Sequence, residues 1–187
     1  MLLLATLSLA QAAPASPPNS AFDKPFSVGS YAAVRGGAYS AGGVGGRARW
    51  QPFAHAGLDL YAEATVVDGE GGFRHDYPNG FSVYVPVLVG PAQLRAYAGF
   101  CDVVSRVEPQ EPGAPRADDL MLGAHLGVGA AVAVAPSWSL FLDAQADLYA
   151  SHDRSSGGWT GNVDEALSAA LTGQVNAGVQ FHLTDPR

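Results

Sequence analysis

Between Trp138 and Ala150, apolar and polar residues alternate without a break. Trp138, Leu140, Leu142, Ala144, Ala146, Leu148 and Ala150 fall on one side; Ser139, Phe141, Asp143, Gln145, Asp147 and Tyr149 fall on the other. Successive side chains of a strand point to opposite faces, so this stretch predicts a strand with one apolar and one polar wall. The same period governs Ala54–Val66, where Leu58, Leu60 and Val66 oppose His55, Asp59, Tyr61 and Glu63. It returns over 171–183, where Leu171, Val175, Val179, Phe181 and Leu183 oppose Thr172, Gln174, Asn176, Gln180 and His182. Leu120–Val134 and Phe81–Val89 repeat it, and weaker versions lie at Phe26–Arg35, Gly42–Gln51 and Leu94–Val104. Asp102 breaks the rule by falling on the apolar face of the fifth strand, near its outer end, where a local bulge at Val103–Val104 would account for it.

The pattern therefore predicts eight strands, most of ten or more residues. A tilted strand needs about 9–11 residues to cross a hydrocarbon layer, whereas strands of soluble sheets average about five or six. Strand length thus favours a membrane. The connections agree. Short turns are predicted at Gln51-Pro52-Phe53, Gly90-Pro91-Ala92 and Ala135-Pro136-Ser137, and longer polar segments at Asp68–Gly80, Glu108–Asp118 and Ser151–Glu165. Such alternation of short and long links belongs to an antiparallel up-and-down barrel with tight periplasmic turns and longer external loops. Two features depart from it: the first external link, Gly36–Ala41, is short, and helix formers over Asp164–Thr172 delay the predicted start of strand eight to about Leu171.

Composition decides which wall faces outward. Nearly half the chain (48%) is apolar and only 14% is charged, with Lys24 as the single lysine. A soluble barrel would cover its outside with lysine and glutamate, of which there is too little here. The apolar wall is therefore assigned to lipid and the polar wall to the lumen. Eight strands leave an interior just wide enough for side chains, and charges buried there must be paired. Arg35, Arg47, Arg49 and Arg95 are predicted to face Asp59, Glu63, Asp143 and Asp147 across it. Phe26, Trp50, Trp138 and Phe181 lie on the apolar wall at the predicted periplasmic ends, as an aromatic belt at the membrane boundary would. A net charge of −7 excludes nucleic acid as the expected partner.

The ends of the chain read differently. Met1 to Ala12 combines a short apolar run with Ala10-Gln11-Ala12, the form of a secretory signal and its cleavage site. A disordered segment rich in Pro and Ser is predicted over 13–25, the barrel over 26–183 and a short tail over 184–187.

From about Phe26 to Leu183 this layout resembles the small eight-stranded outer-membrane β-barrel family, whose well-known members include the OmpA transmembrane domain and OmpX. The resemblance rests on topology. It implies a packed polar interior and variable external loops used in adhesion, surface protection or envelope integrity. Strands of that family often finish on a terminal aromatic, whereas here Phe181 is followed by His182-Leu183 and then Thr184-Asp185-Pro186-Arg187.

Candidate chemistry is sparse. Gly42-Gly43-Val44-Gly45-Gly46 has no helix after it, so it is read as close packing within the barrel and not as a nucleotide loop. His75-Asp76 and His152-Asp153, with Ser151 or Ser155 as nucleophile, define the alternative of a hydrolase at the outer rim. His55, His125 and His182 are assigned to hydrogen bonding on the polar wall, and Cys101, the only cysteine, to packing. The resulting expectation is a monomeric outer-membrane barrel, not an enzyme, without cofactor, metal or catalytic residues. Its partners would be outer-membrane lipid and an extracellular molecule met by segments 68–80, 108–118 and 151–165. A third reading is a soluble periplasmic lipocalin-like carrier, which requires an apolar interior.

Overall fold

The computed structural model describes residues 21–37, 39–69, 72–109, 117–151 and 169–183. Eight strands form one closed antiparallel barrel in sequence order: β1 (Phe26–Gly37), β2 (Ala41–Phe53), β3 (Ala56–Gly69), β4 (Gly72–Val89), β5 (Ala92–Pro109), β6 (Ala117–Ala135), β7 (Trp138–Ser151) and β8 (Ala169–Leu183). β1 closes the sheet against β8, from Phe26 opposite Leu183 to Gly37 opposite Thr172. Closure gives every strand a hydrogen-bonded neighbour on both sides, the condition for a sheet that crosses hydrocarbon.

The alternation sorts the walls. Leu58, Leu60, Val83, Phe100, Leu126, Leu142, Leu171 and the other large apolar residues of that set are exposed on the outside. Arg35, Arg47, Arg49, Asp59, Glu63, Arg95, Asp143 and Asp147 are buried inside. This arrangement removes the lipocalin-like reading, because the interior holds the charges and not the apolar wall. Room for the inner tyrosines comes from glycines on the adjacent strand. A Cβ at Gly45 would run into the Tyr31 ring, and one at Gly57 into the Tyr84 ring.

At one end, two-residue turns join the strands at Ala54–His55, Gly90–Pro91 and Pro136–Ser137. The first lies two residues beyond the predicted Gln51-Pro52-Phe53 turn. Pro52 has no N–H to give to a ladder, and it sits where the β2–β3 register shifts between Trp50 and Phe53. His55 consequently occupies an exposed turn and does not reach the polar wall. Gly90 adopts a positive φ of 59°, which a tight turn favours and glycine tolerates.

At the other end the strands run further than the periodicity showed. β4, β5 and β6 have 18, 18 and 19 residues, well above the roughly 9–11 that a membrane crossing needs. Segment 68–80, predicted as a loop, belongs mostly to the β3–β4 hairpin, which pairs as far as Gly69 opposite Gly72. Pro78 and Asn79-Gly80 look like turn residues, but Pro78 faces inward at a gap in the β3–β4 ladder, between Ala62 opposite Asn79 and Thr65 opposite Asp76. Segment 108–118 is likewise shortened by β5 and β6, and its residues 110–116 lie outside those described, as do 152–165 of the third segment. β8 starts at Ala169, two residues ahead of the predicted start. Asp102 lies half-buried on the outer wall without a bulge: the β4–β5 register is continuous, and Asp102 sits opposite Asn79, a polar neighbour.

Of the segment 13–25, predicted as disordered, residues 21–25 are described and are ordered against the barrel. Ala21–Asp23 form a 3-10 turn that buries Ala21 and Phe22. Phe22 closes the short-turn end of the lumen, packed edge-on against His182 at 5.5 Å between ring centres. Lys24 Nζ donates to Ser137 Oγ at 2.6 Å and ties this turn to the β6–β7 link. Residues 1–20 and 184–187, which include the signal and the tail, lie outside the described residues.

Leu142 tests the assignment of walls. It is 56% exposed between Ala130 and Ala177, so Leu142→Arg is expected to cost about 2–4 kcal/mol of folding into vesicles, read by denaturant titration. Leu183→Arg, at the level of the short turns beside Phe26, should cost only about 0–1 kcal/mol.

Candidate functional site

Among the described residues, the buried charged side chains converge in the lumen. β2 brings Arg47 and Arg49 inward two residues apart, β3 brings Asp59, β5 Arg95 and β7 Asp143. Arg47 binds both Asp59 and Asp143. Arg49 donates from Nε to Asp59 Oδ2 at 2.9 Å and from Nη2 to Asp143 Oδ2 at 3.1 Å. Arg95 Nη2 reaches the other oxygen of Asp143 at 2.8 Å. Asp143, with no exposure, therefore meets three guanidinium groups. The Phe141 ring lies beneath two of them, 4.7 Å from Arg47 and 5.4 Å from Arg49, a contact that suits planar cations.

A second group lies toward the opposite end. Arg35 stands 3.6 Å from Glu63 and 4.0 Å from Asp147. Gln174 bridges Arg35 to Glu63: it accepts from Arg35 Nε at 2.9 Å and donates to Glu63 Oε1 at 2.7 Å. Tyr31 donates to the same Glu63 oxygen at 2.9 Å. The structure thus brings all eight predicted lumen charges into two networks. It adds a separate ion pair, Arg74 to Asp76 at 2.8 Å, that the loop reading of 68–80 concealed. The signal was available, since Arg74, Asp76, Pro78 and Ser82 keep period two with His75, Tyr77, Asn79 and Phe81. Above this pair the Tyr39 ring lies 4.5 Å from the Arg74 guanidinium, and Tyr39 Oη accepts from Arg35 at 3.2 Å. Burial pushes the Tyr39 hydroxyl above its usual range, so it stays protonated at neutral pH.

The four aromatics of the predicted belt share one level on the outer wall. Phe26 stacks on Trp50 at 6.0 Å, and Trp138 meets Phe181 at 4.9 Å. The rim hydrolase fares otherwise. His75 and Asp76 are neighbours on β4, so they point to opposite walls, with Asp76 fully buried against Arg74. His152, Asp153 and Ser155 lie outside the described residues. Two Ser–His contacts do exist in the lumen, Ser82 to His125 at 2.7 Å and Ser139 to His182 at 2.8 Å. All four side chains are at most 5% exposed, which leaves no approach for a substrate.

Removing Asp143 should be the most damaging change in this network, since three guanidinium groups lose their shared acceptor. Asp143→Ala is expected to lower stability by about 3–5 kcal/mol in urea titrations of the detergent-folded barrel. His55→Ala, in the exposed turn, should stay within about 0.5 kcal/mol.

No protein-family model matches the chain, and no curated protein matches it in sequence. Solved structures do match in fold. Neisserial surface protein A is similar at 15% identity over 85% of this chain and 97% of its own, with a TM-score of 0.64. A major outer membrane protein of Thermus thermophilus is similar at 18% identity over 84% and 98%, with a TM-score of 0.62. The attachment invasion locus protein Ail of Yersinia pestis is similar at 12% identity over 84% and 96%, with a TM-score of 0.52. With its apolar wall outside, its charges inside and its sheet closed, the chain has the fold of the small eight-stranded barrels of bacterial outer membranes.

Proposed function

We propose that this protein is a monomeric outer-membrane barrel that serves as a surface scaffold or envelope component, with a closed lumen and no catalysis of its own. The observation that carries this reading is the filled, charge-locked interior. Three arginines are held on Asp59 and Asp143, Arg35 is held on Glu63 and Asp147, Phe22 packs at the short-turn end, and Tyr39 lies against Arg35 and Arg74 toward the other. Moving any of these charges aside to admit an ion would leave its partner unpaired at low dielectric, at a cost of several kcal/mol. Enclosed Ser–His pairs speak against hydrolysis for a related reason: the groups exist, but substrate has no route to them.

The short turns are assigned to the periplasm and the long strand ends to the exterior. Recognition is then carried by the outer rim. β4, β5 and β6 project as a stiff ribbon on which Arg106 lies 5.8 Å from the Tyr77 ring on the outward face. The same role is proposed for segments 108–118 and 151–165, most of which lie outside the described residues.

Two measurements test the proposal together. The mature chain folded in detergent should run as a compact band on a gel when unheated and shift when boiled. Reconstituted in planar bilayers, the same sample should give no stepwise conductance. Discrete conductance steps would make the protein a pore, and a chain that stays soluble without detergent would overturn the membrane assignment itself.

A further inference from the structure

The register of β5, β6 and β7 assembles a site that the charge networks leave incomplete. His125 stands opposite Gly99 on one side and Asp147 on the other, while Cys101 lies two residues along β5, opposite Gly123. The two glycines make the space: a Cβ at Gly99 would lie 2.8 Å from His125 Nε2, and one at Gly123 would lie 3.0 Å from Cys101 Sγ. A thiol, an imidazole and a carboxylate thus meet in the lumen, each buried, with their ligand atoms all within 4.8 Å of one another.

Two further observations point to a cation site. The first is charge. Among the described residues, Arg35 is the one cation that meets both Glu63 and Asp147, so this group holds one more carboxylate than guanidinium. Asp143 and Asp59, by comparison, share three guanidinium groups. Asp147, with no exposure, is held loosely: among the described residues Gln145 donates to Oδ1 at 2.8 Å, but Oδ2 meets only Thr172 at 3.5 Å and Arg35 at 4.0 Å. The second is unmet hydrogen bonding. Among the described residues, Glu63 Oε2, 3.6 Å from Arg35, and Tyr149 Oη are both buried without a hydrogen-bond partner, and Tyr149 shares a buried cluster with Cys101.

We propose that Cys101, His125 and Asp147 bind a borderline-soft divalent cation, zinc(II) by preference, inside the barrel. One sulfur, one nitrogen and one oxygen ligand suit zinc, whereas calcium and magnesium require oxygen ligands throughout. Bonds of about 2.0–2.3 Å place tetrahedral ligand atoms roughly 3.3–3.8 Å apart, so the side chains close by about 1 Å on the ion. A water molecule takes the fourth position. The His125 ring is already oriented for this: Nε2 is held on Ser82 Oγ at 2.7 Å, which leaves Nδ1, 3.5 Å from Tyr61 Oη, for the metal. Binding releases the Cys101 thiol proton to solvent. A dication with one new thiolate adds a single net positive charge, which is the charge this half of the lumen lacks. The ion therefore links β5, β6 and β7 where only Arg35 balanced two carboxylates.

The test loads the detergent-folded wild-type barrel with zinc chloride, dialyses it against metal-free buffer and measures retained zinc by mass spectrometry. About one zinc per chain should remain, and cobalt(II) in its place should show thiolate-to-metal charge-transfer absorption. Cys101→Ser and Asp147→Asn, each checked for folding by heat-dependent gel mobility, should weaken binding by more than the roughly 10–100-fold typical of a lost outer-shell partner. Cys101→Ser should also abolish the cobalt band. His55→Ala, in the exposed turn, should bind as the wild type does. Two results would overturn the proposal. Wild type that retains no zinc would mean that a proton on Asp147 balances the charge. Undiminished zinc in a folded Cys101→Ser variant would mean that the ion sits elsewhere.

Discussion

Hydrocarbon offers no hydrogen bonds, so each backbone N–H and C=O within it must find a partner in the sheet. The pairing of β1 with β8 meets that requirement, since without it both strands would present open edges to lipid. Much else follows from closure at eight strands. The circumference sets an interior just wide enough for side chains, and the two-residue period forces every second residue into it. Large side chains can enter only where a neighbouring strand yields space, as Gly45 does for Tyr31 and Gly57 for Tyr84.

A narrow interior lined by polar residues turns into an electrostatic problem, and the barrel solves it unevenly. Around Asp143 and Asp59 the arginines outnumber the carboxylates; around Arg35 the carboxylates outnumber the arginine. Buried imbalance of this kind needs a counter-charge, a proton or an ion. The thiol and imidazole lie beside the half that lacks positive charge, which is where a metal cation is favoured. On the two proposals, recognition would fall to the outer rim and structural closure, reinforced by a metal, to the interior.

The two ends of the barrel also differ for physical reasons. Short turns hold one rim at a common level, where Phe26, Trp50, Trp138 and Phe181 lie on the outer wall. The other rim has no such constraint, and β4–β6 rise beyond the thickness a bilayer demands. A barrel that needed only to cross the membrane could have ended those strands near Asn79 and Asp102, where polar residues reach the outer wall.

The alternation along Trp138–Ala150 and its repeats contains the strand count, the two walls and the assignment of charges to the interior, because period two is a local property of an extended chain. Low charge content with a single lysine, Lys24, adds which wall can face water. Other features were hidden for identifiable reasons. Pro78-Asn79-Gly80 looks like a turn until its neighbours on β3 and β5 hold it in a strand, and Pro52 looks like a turn but marks an irregular register beside one. Phe22 shows no periodicity, so only the open end of the folded barrel explains its burial. Pairings across the lumen were least legible. Which arginine meets which carboxylate, and the meeting of Cys101 with His125 and Asp147, depend on inter-strand register. Register is a relation between strands far apart in sequence, and it exists only once the sheet has closed.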